Sequence, residues 1–139
     1  MKGVYILLLE ITRELRVNIG SLGEITLSPG EYIYIGSGQK DVEKRVMRHF
    51  KKEKKIKWHI DYLLSSDSCK IREAIIYPLN REYECKISNL ALELGSTPIR
   101  KFGSSDCRCI SHFFKTEDPL ALKKNIEKSF NVDSLILHP

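Results

Sequence analysis

The sequence predicts an α+β fold: a small, mostly antiparallel β-sheet flanked by helices, with an extra hairpin near the N-terminus. Three observations point to it. Strand-like segments come first and helices follow, without the strict alternation of a parallel doubly wound sheet. The strand-like segments are rich in β-branched and aromatic residues and are bounded by Gly or Pro. At 139 residues the chain can build one hydrophobic core and not two. It reads as a single domain, with a core to about residue 114 and a C-terminal helix over about 117–130.

Residues 3–11 read as the first strand, and the apolar run within it suits burial. Thr12 and Arg13 read as a tight turn. Beyond it, Leu15, Val17 and Ile19 share one face of a second strand, so the two segments are expected to pair as a hairpin. Ile25 and Leu27 form a short extended piece stopped by Pro29-Gly30. Residues 31–37 alternate Tyr32, Tyr34 and Gly36 against Ile33 and Ile35, and Gly36-Ser37-Gly38 ends that strand. Asp41 is the N-cap of a helix expected over about 42–55, and Glu43 suits its dipole. A short helix over 58–64, a strand over 71–77 and a long helix over 81–94 follow. Residues 96–114 read as loop.

Apolar residues make up 42% and charged residues 29%, as in ordinary globular domains. No apolar run approaches the roughly 20 residues of a membrane span. Glu10 interrupts the N-terminal apolar stretch and no small-residue cleavage site follows, so the chain is expected to be cytoplasmic. The net charge is +5, but residues 40–57 alone carry nine Lys/Arg against three acids. The basic excess therefore sits on one segment, which sets a phosphate-bearing partner level with the ordinary reading of a solvated helix face.

On a helix from Val42, the residues Val42, Val46 and Phe50 fall on one face. Arg45 and His49 border that face, while Lys44, Arg48, Lys51 and Lys52 point away. A buried-edge arginine and histidine need partners, and a structural Arg45 on a backbone carbonyl with His49 as a core histidine stands beside a functional pair. On the second long helix, Tyr83, Ile87, Leu90, Ala91 and Leu94 make the apolar face, with Glu84 at its edge. The two helices can bring these groups into one cleft. Tyr5 on the first strand is placed to lie beside Tyr34 and Gly36.

The four cysteines are Cys69, Cys85, Cys107 and Cys109, expected to be reduced in a cytoplasmic chain. Cys107, Cys109 and His112 form a C-x-C-x-x-H spacing with three Zn²⁺-type ligands. A fourth ligand could come from Cys85 or His59. Two other readings stand beside zinc. The cysteines can be small buried hydrophobes, or they can brace a loop that sets Ser104, Ser105 and Asp106 at the rim of a cleft.

These residues carry a family resemblance. Gly3-Val4-Tyr5 resembles the first signature tripeptide of the GIY-YIG nucleases, and Tyr34-Ile35-Gly36 is the second tripeptide intact. The ordered set Tyr5, Tyr34, Gly36, Arg45, His49 and Glu84 is similar to the family's active-site series over residues 1–95. The segments WHIDYLL and GSSDCRC resemble those of its compact archaeal and bacterial, Uri-type branch, extending the match to about residue 114. An extra hairpin separates the two tripeptides, and the asparagine that usually follows the glutamate has no counterpart.

The resemblance implies a metal-dependent endonuclease that hydrolyses nucleic-acid phosphodiesters, acting on DNA and in repair. It implies Tyr5, Tyr34, Arg45, His49 and Glu84 as catalytic residues, with Glu84 holding one Mg²⁺ or Mn²⁺. Gly3 and Gly36 match the motif glycines, and the charge pattern makes Lys44, Arg48, Lys51, Lys52 and Lys55 the residues expected to bind nucleic acid. The rival readings are a binding module of the same fold that has lost cleavage, and a tethering domain of a repair complex.

Overall fold

The first strand is buried on both faces, and the rest of the molecule is arranged around it. In the computed structural model, which describes residues 1–99, 102 and 109–139, β1 (Gly3–Ile11) has a neighbour on each side. After β2 (Leu15–Asn18) and β3 (Glu24–Leu27) comes β4 (Gly30–Gly38), which pairs with one edge of β1. β5 (Cys69–Tyr77) pairs with the other. Among the described residues, β6 (Thr97–Pro98), β7 (Phe113–Lys115) and β8 (Leu135–Leu137) complete a six-stranded sheet. Its order is β6-β7-β4-β1-β5-β8, and each pairing is antiparallel.

Helices cover both faces, which is why β1 reads as a nearly continuous apolar run. Tyr5, Leu7, Leu9 and Ile11 pack with α1 (Val42–Phe50) and α2 (His59–Leu64) through Val42, Val46, Ile60 and Leu63. Val4 and Ile6 point the other way, towards α3 (Tyr83–Glu93) and α4 (Pro119–Phe130) through Ile87, Ala91, Leu122 and Ile126. Successive strand residues serve opposite cores. The architecture is α+β with four α-helices among the described residues flanking the antiparallel sheet. No helix of the described residues is long and apolar enough to cross a membrane.

The extra hairpin forms between different strands from those the sequence suggested. β2 pairs with β3, with Leu15 opposite Leu27, and does not pair with β1. Both edges of β1 are already occupied, by β4 and β5. β2 alternates half-buried and exposed residues, so it has one apolar face to satisfy, and a peripheral two-stranded ribbon does so. Gly20 and Gly23, both at positive φ, turn the chain between these strands.

α1 also stops earlier than its sequence pattern implies, at Phe50, with Lys51 already extended. Lys54 curls back and its Nζ donates to the carbonyls of His49 and Lys51, capping the helix end with a positive charge. The basic residues from Lys51 to Lys57 therefore lie on a loop and not on a helix face.

The loop is anchored by a buried carboxylate that sequence reasoning passed over. Asp61, fully buried on α2, takes both terminal nitrogens of Arg48 at 3.0 and 3.1 Å. The N–H groups of Lys57 and Trp58 donate to it at 2.9 and 3.0 Å. Arg48 further donates to the Lys55 carbonyl. Burial pushes the Asp61 carboxyl pKa up, but Arg48 and the two N–H groups outweigh that and hold it below the usual range. Its stabilisation is full above the ordinary carboxylate pKa and is lost as pH falls through the lowered value. Asp61→Ala strands a half-buried guanidinium and is expected to cost about 3–5 kcal/mol in urea unfolding. A cost below about 1 kcal/mol, typical of an exposed pair, would contradict this role.

Candidate active site

The site forms where β1 begins and β4 ends. Tyr5 lies directly opposite Gly36 across the β1–β4 pairing. A Cβ on Gly36 would sit 2.5 Å from the Tyr5 hydroxyl oxygen and 2.6 Å from its Cζ, so only glycine lets the phenol lie across the strand. A Cβ on Gly3 would meet the Tyr77 carbonyl oxygen at 2.8 Å, so that glycine permits β1 to close against β5. Both motif glycines thus have a steric reason.

The Tyr5 hydroxyl is 2.7 Å from Nε2 of His49 on α1, and both side chains are buried. Tyr34 approaches the same imidazole edge-on, with ring centroids 6.1 Å apart. Burial lowers the His49 pKa to about 4, with the cations Lys54, Arg48 and Arg45 adding to the fall against the pull of Asp61. Its ring is therefore neutral at physiological pH. Burial likewise holds Tyr5 and Tyr34 well above the usual phenol range. Among the described residues, Nδ1 of His49 finds no hydrogen-bond partner, a costly state for a buried polar atom.

Arg45 occupies the next position on α1 towards the cleft. Its guanidinium donates to the Ser37 carbonyl and lies 4.9 Å from the centre of the Trp58 ring. Arg48 and Lys57 also approach that ring, at 4.4 and 4.9 Å, so Trp58 gathers three cations. Glu84 projects from the first turn of α3, with its side chain 15% exposed and 3.8 Å from Nε of Arg81. Its negative charge contributes to the raised pKa of both Tyr5 and Tyr34, which places it at the same centre.

An open cleft of about 1690 Å³ joins these groups. Tyr5, Tyr34, Gly36, Arg45 and Glu84 line it, and His49 sits behind Tyr5. Of the basic residues singled out from sequence, Lys44 and Lys51 are on the same wall. Arg48 borders the cleft but is committed to Asp61, so it does not point away as the helical wheel implied. Lys52 donates to the Ser66 carbonyl, and Lys55 is exposed beyond the lining. Sequence reading missed Trp58 as a cation platform and Arg81 as a partner of Glu84. The second had a signal, since the pair is spaced i, i+3 on a helix.

Cys107, with Ser104, Ser105 and Asp106, lies outside the described residues. Cys109 and His112 meet Cys85, the alternative ligand from α3, while His59 packs edge-on against Phe102 instead. The cysteines were expected to be reduced, whereas Cys85 and Cys109 are joined as a disulfide with Cα atoms 5.7 Å apart. The expectation rested on compartment, and the fold brings the first turn of α3 against the segment before β7. Cys69 is free and buried, which pushes its thiol pKa up to about 11.

The fold and the cleft define an α+β protein whose polar centre combines two buried phenols, a neutral imidazole, a guanidinium and a carboxylate. The chain belongs to the family described as domain of unknown function DUF123, whose family model matches residues 4–134. That span holds each cleft residue named above, and the motif glycine Gly3 lies just before it. No protein of curated function and no solved structure matches the chain.

Proposed function

We propose that the protein is a GIY-YIG-type endonuclease that hydrolyses DNA phosphodiester bonds with one divalent metal ion. The observation that carries this reading is the meeting of Tyr5, Tyr34, Arg45 and Glu84 in one cleft, with His49 behind Tyr5. The basic residues Lys44 and Lys51 on its wall suit an anionic backbone.

The donor set fits a hard cation. Glu84 offers one carboxylate at an open, roomy wall, and Mg²⁺ takes one or two carboxylates while keeping several waters. Bound there, the ion would polarise a phosphoryl oxygen and offset charge on the leaving oxygen. Arg45, held by the Ser37 carbonyl, presents a planar fork to the phosphate. In the Nδ1-protonated tautomer of His49, the Tyr5 hydroxyl donates to Nε2. A water in the cleft can then pass its proton to the Tyr5 oxygen as the phenolic proton moves to His49. The hydroxide forms the new P–O bond, the old P–O bond breaks, the leaving oxygen takes a proton from solvent, and His49 gives its extra proton back to solvent through the Tyr5 oxygen. Tyr34 walls the water in and keeps it oriented beside Tyr5.

Incubating the purified chain with Mg²⁺ or Mn²⁺ and a panel of flap, bubble, abasic and linear DNA tests the reading. At least one substrate should be cut, and chelator should stop the cutting. Binding without cutting of any member would instead support a binding module of the same fold. The wall of the cleft makes a separate prediction. If the basic residues neutralise about four phosphates, log K against log salt should slope by about −3.6. Lys44→Glu with Lys51→Glu should flatten that slope for all sequences alike, and a wild-type slope near zero would remove this wall from the interface.

A further inference from the structure

We propose that Cys85, Cys109 and His112 form a Zn²⁺ site on the wall of the cleft when the two cysteines are thiols. The two sulfurs and a ring nitrogen of His112 all lie within 4.8 Å of one another. Cys85 Sγ is 3.9 Å from His112 Nε2. Tetrahedral Zn²⁺, with bonds of about 2.3 Å to sulfur and 2.0–2.1 Å to nitrogen, holds its donors a little under 4 Å apart, as Cys85 Sγ and His112 Nε2 already are, and the two sulfurs part to that separation once their bond is reduced. Two thiolates and an imidazole are the ligands that zinc prefers over harder cations.

The scaffold supports a fixed site. Cys85 sits on the first turn of α3, next to Glu84. His112 immediately precedes β7, is buried, and has both backbone groups bonded: its N–H donates to Phe102 and its carbonyl accepts from Ile35, each at 2.8 Å. Cys85 and His112 line the cleft, so water there can take the fourth coordination position. The ion would tie the turn that carries Glu84 to the start of β7.

The site is linked to redox state. With the sulfurs bonded to each other, neither is a thiolate donor. A dithiol reductant supplies two electrons and two protons and becomes a disulfide itself, leaving two thiols. Binding of Zn²⁺ then releases the two thiol protons.

The test titrates Co²⁺ into the full-length chain, either reduced with a dithiol and desalted under argon or fully oxidised. The reduced chain should take up about one ion, with thiolate-to-cobalt absorption and tetrahedral visible bands, and Zn²⁺ should bleach both. The oxidised chain should show neither. Cys85→Ser and Cys109→Ser should each remove a large part of the charge-transfer absorption, and His112→Gln should weaken Co²⁺ binding at least tenfold. If a variant fails to fold, the reduced and oxidised wild-type titrations decide alone. Less than about 0.2 zinc per reduced chain, or equal uptake by the reduced and oxidised forms, overturns the proposal. Cleavage is not a readout, so the result stands apart from the nuclease reading.

Discussion

Arg45→Ala is expected to slow single-turnover cleavage about 10²–10³-fold, the usual cost of removing one electrostatic donor to a transition state. The guanidinium is oriented in advance by the Ser37 carbonyl and by the Trp58 face, so it meets the phosphate without reorganising. It takes no part in the Asp61 network, which is held by Arg48 one turn further along the helix. The fold should therefore survive, with an unfolding midpoint close to wild type. Arg48→Ala should do the reverse, losing stability through Asp61 and altering the chemistry only as far as Trp58 shifts. Arg45→Lys should rescue little, because an ammonium lacks the planar fork. Equal cleavage rates for wild type and Arg45→Ala would remove this residue from the reaction.

Tyr5→Phe is expected to lower the rate by about 10²–10⁴, the range for loss of a positioned acid–base group. The substitution keeps the ring that Gly36 accommodates and removes the oxygen that joins the cleft to His49. It also leaves Nε2 of the buried imidazole unpaired, which should cost about 1–3 kcal/mol of stability. Rates must accordingly be compared well below the unfolding midpoint. The pH profile supplies a second test. The acceptor is the neutral imidazole, and its pKa is lowered from 6.5 to about 4. The wild-type limb due to His49 should therefore stay flat through pH 6.5 and fall only as pH approaches about 4. In stability the sign is the same: the unfolded histidine binds a proton first as pH drops, so folding weakens between pH 6.5 and about 4. A cleavage limb centred near pH 6.5 would place the working histidine in solvent and contradict the buried relay.

What could be read from sequence was set by the reach of each signal. Periodicity is local, so α1 and α4, the alternation of Tyr32, Tyr34 and Gly36, and the burial of β1 were legible. Pairing is not local. β2 has a strand pattern, but its partner depends on β4 and β5 having taken both edges of β1. β6, β7 and β8 are two or three residues long, too short for a period to declare itself. The end of α1 was misread because Lys51 to Lys57 continue its charge pattern while Lys54 folds back to cap it.

The candidate site was more legible than its surroundings. The four-residue step from Arg45 to His49 and the two-residue step from Tyr34 to Gly36 fix their faces directly, and Glu84 stood out as the carboxylate at an apolar edge. The residues that hold these groups in place are distant in sequence. Arg48 and Asp61 are 13 positions apart, and Cys85 and Cys109 are separated by 24. No helical or strand period connects such pairs, and only the fold brings them together.

In the proposed reaction Glu84 holds the metal on which phosphodiester cleavage depends. The most direct measurement compares wild type with Glu84→Gln, an uncharged side chain of nearly equal size, on the best substrate of the DNA panel across a Mg²⁺ titration. Glu84 stands at the cleft wall and not in the core, so the variant should fold and bind DNA. The wild-type rate should rise with Mg²⁺ and saturate, and the variant rate should be lower by at least about 10²-fold at the same Mg²⁺. Cleavage by Glu84→Gln at the wild-type rate and with the wild-type Mg²⁺ dependence would contradict this role of Glu84.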